Sequence, residues 1–193
     1  MDDEEVRDLV SRARATFGTK CAKFAGAITV EIIKRALENH GIRTSARDVF
    51  IKGLPIEIDL LVPRKGASPE HGLLYQPQDV LVVFEIKNSG SFGQKTIDRV
   101  KDNFQRTQRL DESIYCAYVA LAELERYKWA VSEGNAGFPT YTLFWHDRSR
   151  KRYTPSGDWN RLLAKVTDIV QRDSSAATPA LLDVTPRLTR HKP

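Results

Sequence analysis

Two short runs, Glu57-Ile58-Asp59-Leu60-Leu61-Val62 and Phe84-Glu85-Ile86-Lys87-Asn88, set charged side chains into apolar stretches. A β-strand turns successive side chains to opposite faces, so Glu57 and Asp59 share one face and Glu85 and Lys87 share another. Sequential strands usually pair, which would set Asp59 opposite Glu85 or Lys87. Charges at the end of a run as apolar as Val80 to Phe84 are costly to bury without partners. Two neighbouring carboxylates repel each other, and a divalent cation held by oxygens, Mg²⁺ or Mn²⁺, is the simplest group to sit between them. Such a cation polarises a phosphoryl oxygen and acidifies a bound water. Lys87 would orient that water or offset charge growing on the phosphate. The plainer alternative is a surface ion pair of Glu85 and Lys87 with Asp59.

The elements that must position these residues are legible in the apolar pattern. Residues Ala22 to Asn39 read as a helix closed by His40-Gly41, with an apolar arc wide enough to pack on a sheet. Strands are expected over Asp48 to Lys52, Pro55 to Val62 and Val80 to Lys87. Pro55 to Val62 alternates, with Ile56, Ile58, Leu60 and Val62 on one face. Val80 to Lys87 is nearly continuous in apolar residues, as in a strand covered on both sides. Residues Pro63 to Gln78 read as a connecting loop, and Asn88 to Gly93 as a turn. Further on come a polar helix over Lys95 to Leu110 and a strand over Ser113 to Leu121. A helix over Ala122 to Glu133, a strand over Thr140 to Trp145 and an amphipathic helix over Asp158 to Arg172 complete the chain. The expected order is α-β-β-β-α-β-α-β-α, an α/β fold with a mixed central sheet flanked by helices. Residues 1–20 read as a charged arm or helix, 21–172 as one domain, and 173–193 as a flexible tail.

Composition narrows the classes. With 193 residues, 41% hydrophobic and 28% charged, the chain has the balance of an ordinary globular protein. No apolar run approaches the ~20 residues of a membrane span, and the acidic start is unlike a signal peptide, so a cytoplasmic location is expected. Cys21 and Cys116 form no CxxC pair, which argues against a zinc site or a disulfide framework. His40, His71, His146 and His191 are scattered away from any nucleophile, and no Walker, GxGxxG or HExxH motif is present. A net charge of +5 and a pI of about 9.2 are compatible with a nucleic-acid partner.

The pattern Ile58-Asp59-Leu60-Leu61-Val62 followed by Val82-Val83-Phe84-Glu85-Ile86-Lys87-Asn88 resembles the PD-(D/E)XK nuclease superfamily, the restriction-endonuclease-like fold. Locally it is most similar to the nuclease-related (NERD) and Shedu-like branches. The resemblance covers about Ala22 to Leu121 and implies an α-β-β-β-α-β core. It further implies a Mg²⁺-dependent phosphodiesterase, with Mn²⁺ as a substitute and endonuclease action expected before exonuclease action. Asp59 and Glu85 would be metal ligands, Lys87 the catalytic lysine, and the Ile86 carbonyl an additional ligand. Many members carry a further glutamate on the first core helix. Glu31 stands in that place, or else pairs with Arg35 at i+4. Gln94 or Gln105 matches the glutamine some branches place after the Glu-x-Lys strand, and Glu57 is a weaker candidate. One departure is that Pro55 stands four residues before Asp59, where the family's motif has proline and aspartate adjacent.

Nucleic acid, DNA in the first instance, is the expected partner, with no membrane involved and a homodimer as the assembly to be tested. Lys95, Arg99, Arg106 and Arg109 line the helix after the Glu-x-Lys strand, suited either to phosphate contacts or to solvating an exposed face. Arg148, Arg150, Lys151 and Arg152 with Tyr153 form a second basic patch, able to grip a strand by charge and stacking or to form a solvated loop. The competing function is a catalytically silent nucleic-acid-binding or interaction module on the same fold.

Overall fold

The computed structural model describes residues 22–89, 93–128, 135–147, 149–150 and 152–176. Helix α1 spans Ala22–Asn39, as the apolar arc predicts. Two-residue strands β1 (Phe50–Ile51) and β3 (Leu74–Tyr75) pair in parallel as a small separate sheet. The main sheet contains β2 (Leu60–Pro63), β4 (Val80–Ser89), β5 (Tyr115–Leu124), β6 (Thr140–Asp147) and β7 (Arg152–Pro155) in the order β2-β4-β5-β6-β7. The central pairs β4–β5 and β5–β6 are parallel, whereas the flanking pairs β2–β4 and β6–β7 are antiparallel. Helices α2 (Gln94–Leu110) and α3 (Asp158–Ala176) follow β4 and β7. The result is the α/β fold expected, a mixed five-stranded sheet between helices.

Each face of the sheet buries its own apolar cluster. On one side Val30, Ile33 and Leu37 of α1 and Trp159, Leu162 and Val166 of α3 pack on Leu60, Val62, Phe84, Ile86, Val119 and Leu121. On the other, Ile97, Val100 and Phe104 of α2 pack on Leu61, Val83, Tyr118 and Ala120. Cover on both sides explains why β4 and β5 read as continuous apolar runs. Cys116 lies within the second cluster, and burial pushes its thiol up to about 12. Cys21 lies outside the described residues.

Several boundaries differ from the sequence expectation. The strand expected over Pro55 to Val62 begins only at Leu60, because Ile58 bonds Val49 in an isolated antiparallel bridge and leaves the main sheet. Ile58 consequently packs with Leu61 rather than with Leu60 and Val62. The expected loop over 63–78 contains β3 and ends in a 3-10 turn at Pro77–Asp79. Strand β4 runs through Ser89 into the expected turn, whose residues 90–92 lie outside the described ones. The helix expected over Ala122 to Glu133 does not begin at Ala122: β5 continues to Leu124, a 3-10 turn follows over Glu125–Tyr127, Lys128 is helical, and residues 129–134 lie outside the described ones. Burial in the sheet overrides the helix propensity of Ala122-Glu123-Leu124. Strand β6 pairs antiparallel with β7 on either side of the basic stretch, of which Arg148 and Lys151 lie outside the described residues. Helix α3 extends four residues past Arg172 to Ala176, and Asp173 pairs with Arg64. The expected arm (1–20) and the rest of the expected tail (177–193) lie outside the described residues. Among the described residues no helix is long and apolar enough to cross a membrane.

The edge strand β2 is held from outside by buried Ser45. Its amide donates to the Leu61 carbonyl (2.9 Å), and its hydroxyl oxygen accepts the Leu61 amide (3.1 Å). One serine thus serves as the missing neighbour of an edge that would otherwise carry open backbone groups. We expect Ser45→Ala to strand a buried amide and cost about 1–3 kcal/mol. Urea denaturation measures this, and stability equal to wild type would show the hydroxyl to be dispensable.

Candidate active site

Leu60 pairs with Phe84, and one residue earlier the chain swings away toward Val49. Asp59 occupies that corner. There the Ile86 amide has no strand residue opposite it, and the Asp59 carboxylate takes its place: Ile86 N–H donates to Oδ2 at 2.7 Å. A carboxylate accepting a backbone amide is held in position by a charge-assisted bond. Glu85 and Lys87 point to the α2 side of the sheet, opposite Phe84 and Ile86, as strand alternation requires.

Three oxygens converge on one ammonium. Lys87 Nζ lies 2.8 Å from Glu85 Oε1, 3.1 Å from the Ile86 carbonyl oxygen and 3.4 Å from Asp59 Oδ2. The side chains are 18% (Glu85), 25% (Asp59) and 32% (Lys87) exposed, so the cluster is half-buried yet reachable from solvent. Arg99 of α2 approaches Glu85 Oε1 at 3.7 Å with a mostly exposed side chain. Tyr118, level with Glu85 on β5, lies beneath the cluster. Burial raises its hydroxyl's pKa, and the charges of Glu123 and Glu85 add to the shift.

Of the candidates named from sequence, Asp59, Glu85, Lys87 and the Ile86 carbonyl come together. Glu31 does not join them. It lies on α1, which covers the opposite face, and accepts a hydrogen bond from Arg35 Nε at 2.8 Å. That bond holds its carboxyl below the usual range, with Lys34, Arg35 and Arg47 adding to the effect. Glu57 shows no contact with the cluster, and Gln94 bonds Asp98 (2.8 Å) while Gln105 is exposed. Lys95, Arg106 and Arg109 are exposed on α2, with Arg106 paired to Asp102 at 2.8 Å. Sequence reasoning placed Arg99 in the phosphate-facing stripe and missed its approach to Glu85. The signal was its position two residues after Ile97 and one before Val100, at the border of the buried stripe.

Among the described residues no group of three or more His, Cys, Asp or Glu side chains surrounds a common point. The donor set at this corner is two carboxylates and one carbonyl, all hard oxygens, already arranged around a cationic group. This suits a hard divalent cation completed by water.

No family model matches the sequence, and no curated protein matches it. Solved structures do match, and over most of the chain. The fold is similar to that of NucC. NucC of P. aeruginosa ATCC27853 in its cAAA-bound form gives a TM-score of 0.60 at 14% identity, covering 86% of this chain and 88% of that one. NucC of E. coli MS115-1, cAAA-bound, gives 0.59 at 14% identity, covering 86% and 87%. The apo form of E. coli MS115-1 NucC gives 0.51 at 12% identity, covering 86% and 92%. At this identity the likeness to NucC is one of fold alone.

Lys87→Met would leave Asp59 Oδ2 and Glu85 Oε1 facing each other with no ammonium between them. Because the cluster is partly solvated, the expected loss in metal-free buffer is modest, about 1 kcal/mol. Added Mg²⁺ should raise the variant's melting temperature more than that of wild type. Equal response of both proteins would show that Lys87 and the cation do not share these oxygens.

Proposed function

We propose that this chain is a metal-dependent nuclease that hydrolyses phosphodiester bonds of nucleic acid, DNA in the first instance, at the Asp59, Glu85 and Lys87 corner. The observation that carries this reading is the convergence of Asp59 Oδ2, Glu85 Oε1 and the Ile86 carbonyl on one cationic centre within 3.4 Å. The fold likeness to NucC supports a nuclease on a restriction-endonuclease-like fold.

Asp59, Glu85 and the Ile86 carbonyl would hold Mg²⁺ or Mn²⁺. When bound, the metal would acidify a water and neutralise charge on a phosphoryl oxygen. Each residue has a separate task. Asp59, fixed by the Ile86 amide, presents a carboxylate that cannot swing away without breaking that bond. Glu85 carries the opposing carboxylate, steadied by Lys87 and Arg99. Lys87 supplies a mobile ammonium that orients the attacking water or offsets charge on the phosphate in the transition state. Exposed Lys95, Arg106 and Arg109 on α2, the helix that supplies Arg99, would hold the flanking phosphates.

Plasmid, linear and single-stranded DNA, and RNA, incubated with Mg²⁺, Mn²⁺ or EDTA, test the reading directly. We expect metal-dependent cleavage that Asp59→Ala and Lys87→Ala each reduce on the order of 10²-fold or more. Cleavage surviving both substitutions would overturn the site. Binding without cleavage of any substrate would instead favour a silent nucleic-acid-binding module. Glu85→Ala should abolish cleavage with the fold intact, and a large fall in melting temperature without metal would mark Glu85 as structural.

A further inference from the structure

Strands β4, β5 and β6 run parallel, so their carboxyl ends lie along one edge of the sheet, the edge where open α/β sheets gather ligands. Beyond the Lys87 corner, the ends of β5 and β6 border a cavity of about 210 Å³, lined by Leu124, Glu125, Arg126, His146, Asp147 and Ser149. Pockets that hold a whole small-molecule ligand start at roughly 300 Å³. A cavity below that size suits one unit of a longer polymer.

Its lining sets Arg126 and His146 among the carboxylates of Glu125 and Asp147, with Tyr127 and Tyr153 packed against the first two. Arg126 lies over the Tyr127 ring, 4.9 Å from the centroid, and donates to the Tyr127 hydroxyl at 3.0 Å. His146 is stacked on Tyr153 with centroids 4.5 Å apart and planes 7° apart, directly across the β6–β7 pair. Asp147 fixes the hairpin turn by accepting the Ser149 amide (2.9 Å), the Ser149 hydroxyl (2.6 Å) and the Arg150 amide (3.3 Å). The two acids are already engaged, Glu125 by Lys128 at 3.0 Å and Asp147 by Arg150 at 3.5 Å. Among the described residues Arg126 has no carboxylate partner, so with both acids paired its guanidinium is the lining charge still able to take an anion.

Register sets the distance to the Lys87 corner. Lys87 is level with Ala120, and Leu124 lies four residues further along β5. That is ~13 Å along the strand and ~5 Å across, or roughly 14 Å in all. One strand of a duplex advances ~3.4 Å per nucleotide, so the span is about four nucleotides, fewer in an extended single strand.

We propose that this cavity is a second nucleotide subsite. Arg126 takes a phosphate of the substrate strand a few nucleotides from the cleaved one, and the His146–Tyr153 stack takes an unpaired base. The inference rests on the nuclease reading for the identity of the polymer. A flat ring pair accepts a base only when that base is out of the duplex stack, so the subsite favours single-stranded or frayed nucleic acid.

The test measures binding of a fluorescein-labelled single-stranded oligonucleotide, long enough to span both sites, and of its duplex, by anisotropy in EDTA across a salt series. Arg126→Ala and His146→Ala should each weaken single-strand binding by about tenfold or more. Arg126→Ala should also lower the slope of log affinity against log salt by about one phosphate's worth, while His146→Ala leaves the slope unchanged. Duplex binding should be insensitive to His146→Ala. Single-strand affinity unchanged in both variants would overturn the subsite. So would equal losses on duplex and single strand in His146→Ala, or a fall in melting temperature that accounts for the loss. Hydrolysis of bis(p-nitrophenyl) phosphate with Mn²⁺, a substrate too short to span, separates the two readings. The variants should retain it. If wild type binds the oligonucleotide through Arg126 and His146 yet hydrolyses neither substrate, the nuclease reading fails while the subsite stands.

Discussion

The bond from the Ile86 amide to the Asp59 carboxylate ties two otherwise separate pieces of chain into one site. Strand β2 has only four residues, and beyond Leu60 the polypeptide turns away to pair with Val49. That departure leaves the Ile86 amide without a strand neighbour, a cost comparable to a lost hydrogen bond unless something accepts it. Asp59 accepts it, and in doing so brings its carboxylate to the point where the Lys87 ammonium already meets Glu85 and the Ile86 carbonyl. The geometry available for a cation therefore follows from where a strand stops.

The two faces of the sheet divide labour around that corner. Helices α1 and α3 bury Phe84 and Ile86 and so orient β4 with Glu85 and Lys87 on the other side. Helix α2 covers that other side through Ile97, Val100 and Phe104, yet leaves Glu85 and Lys87 partly solvated and contributes Arg99 at the margin. Full cover would have demanded desolvation of three charges, a larger penalty than their mutual attraction returns.

Much of this was legible in the sequence for a simple reason: alternation in a strand has a period of two, so Glu85 and Lys87 had to share a face, and a neighbouring strand had to bring Asp59 near. The same rule failed where the strand was shorter than its pattern. Ile56 and Ile58 continue the alternation of Leu60 and Val62, yet the backbone has already changed partners, and only the tertiary bridge to Val49 reveals it. Glu31 was placed by resemblance, while the local i+4 pairing with Arg35 is what the helix forms. Ala122 to Leu124 has the composition of a helix start, but the sheet buries Ala122 and Glu123 as strand. The stacking of His146 on Tyr153 depends on a hairpin whose second strand is four residues long and ends in proline, too short to show a period.

The way β2 is anchored gives the site a fate partly separate from that of the core. Asp59 is kept at its corner by a single serine alongside Leu61, a two-bond bridge at Ile58 and one amide from β4. Leu60, Leu61 and Val62 are locked into the two apolar clusters, so the part that can part from the core is the corner at Ile58 and Asp59. Short edge segments secured in this way are the first to exchange their amide hydrogens, through openings that leave the interior closed. A brief opening at the Ile58 bridge would separate the carboxylate pair with the interior closed, so that occupancy of the corner by a cation would be read out as slowed exchange at Ile58 and Ile86 well before any change in global stability.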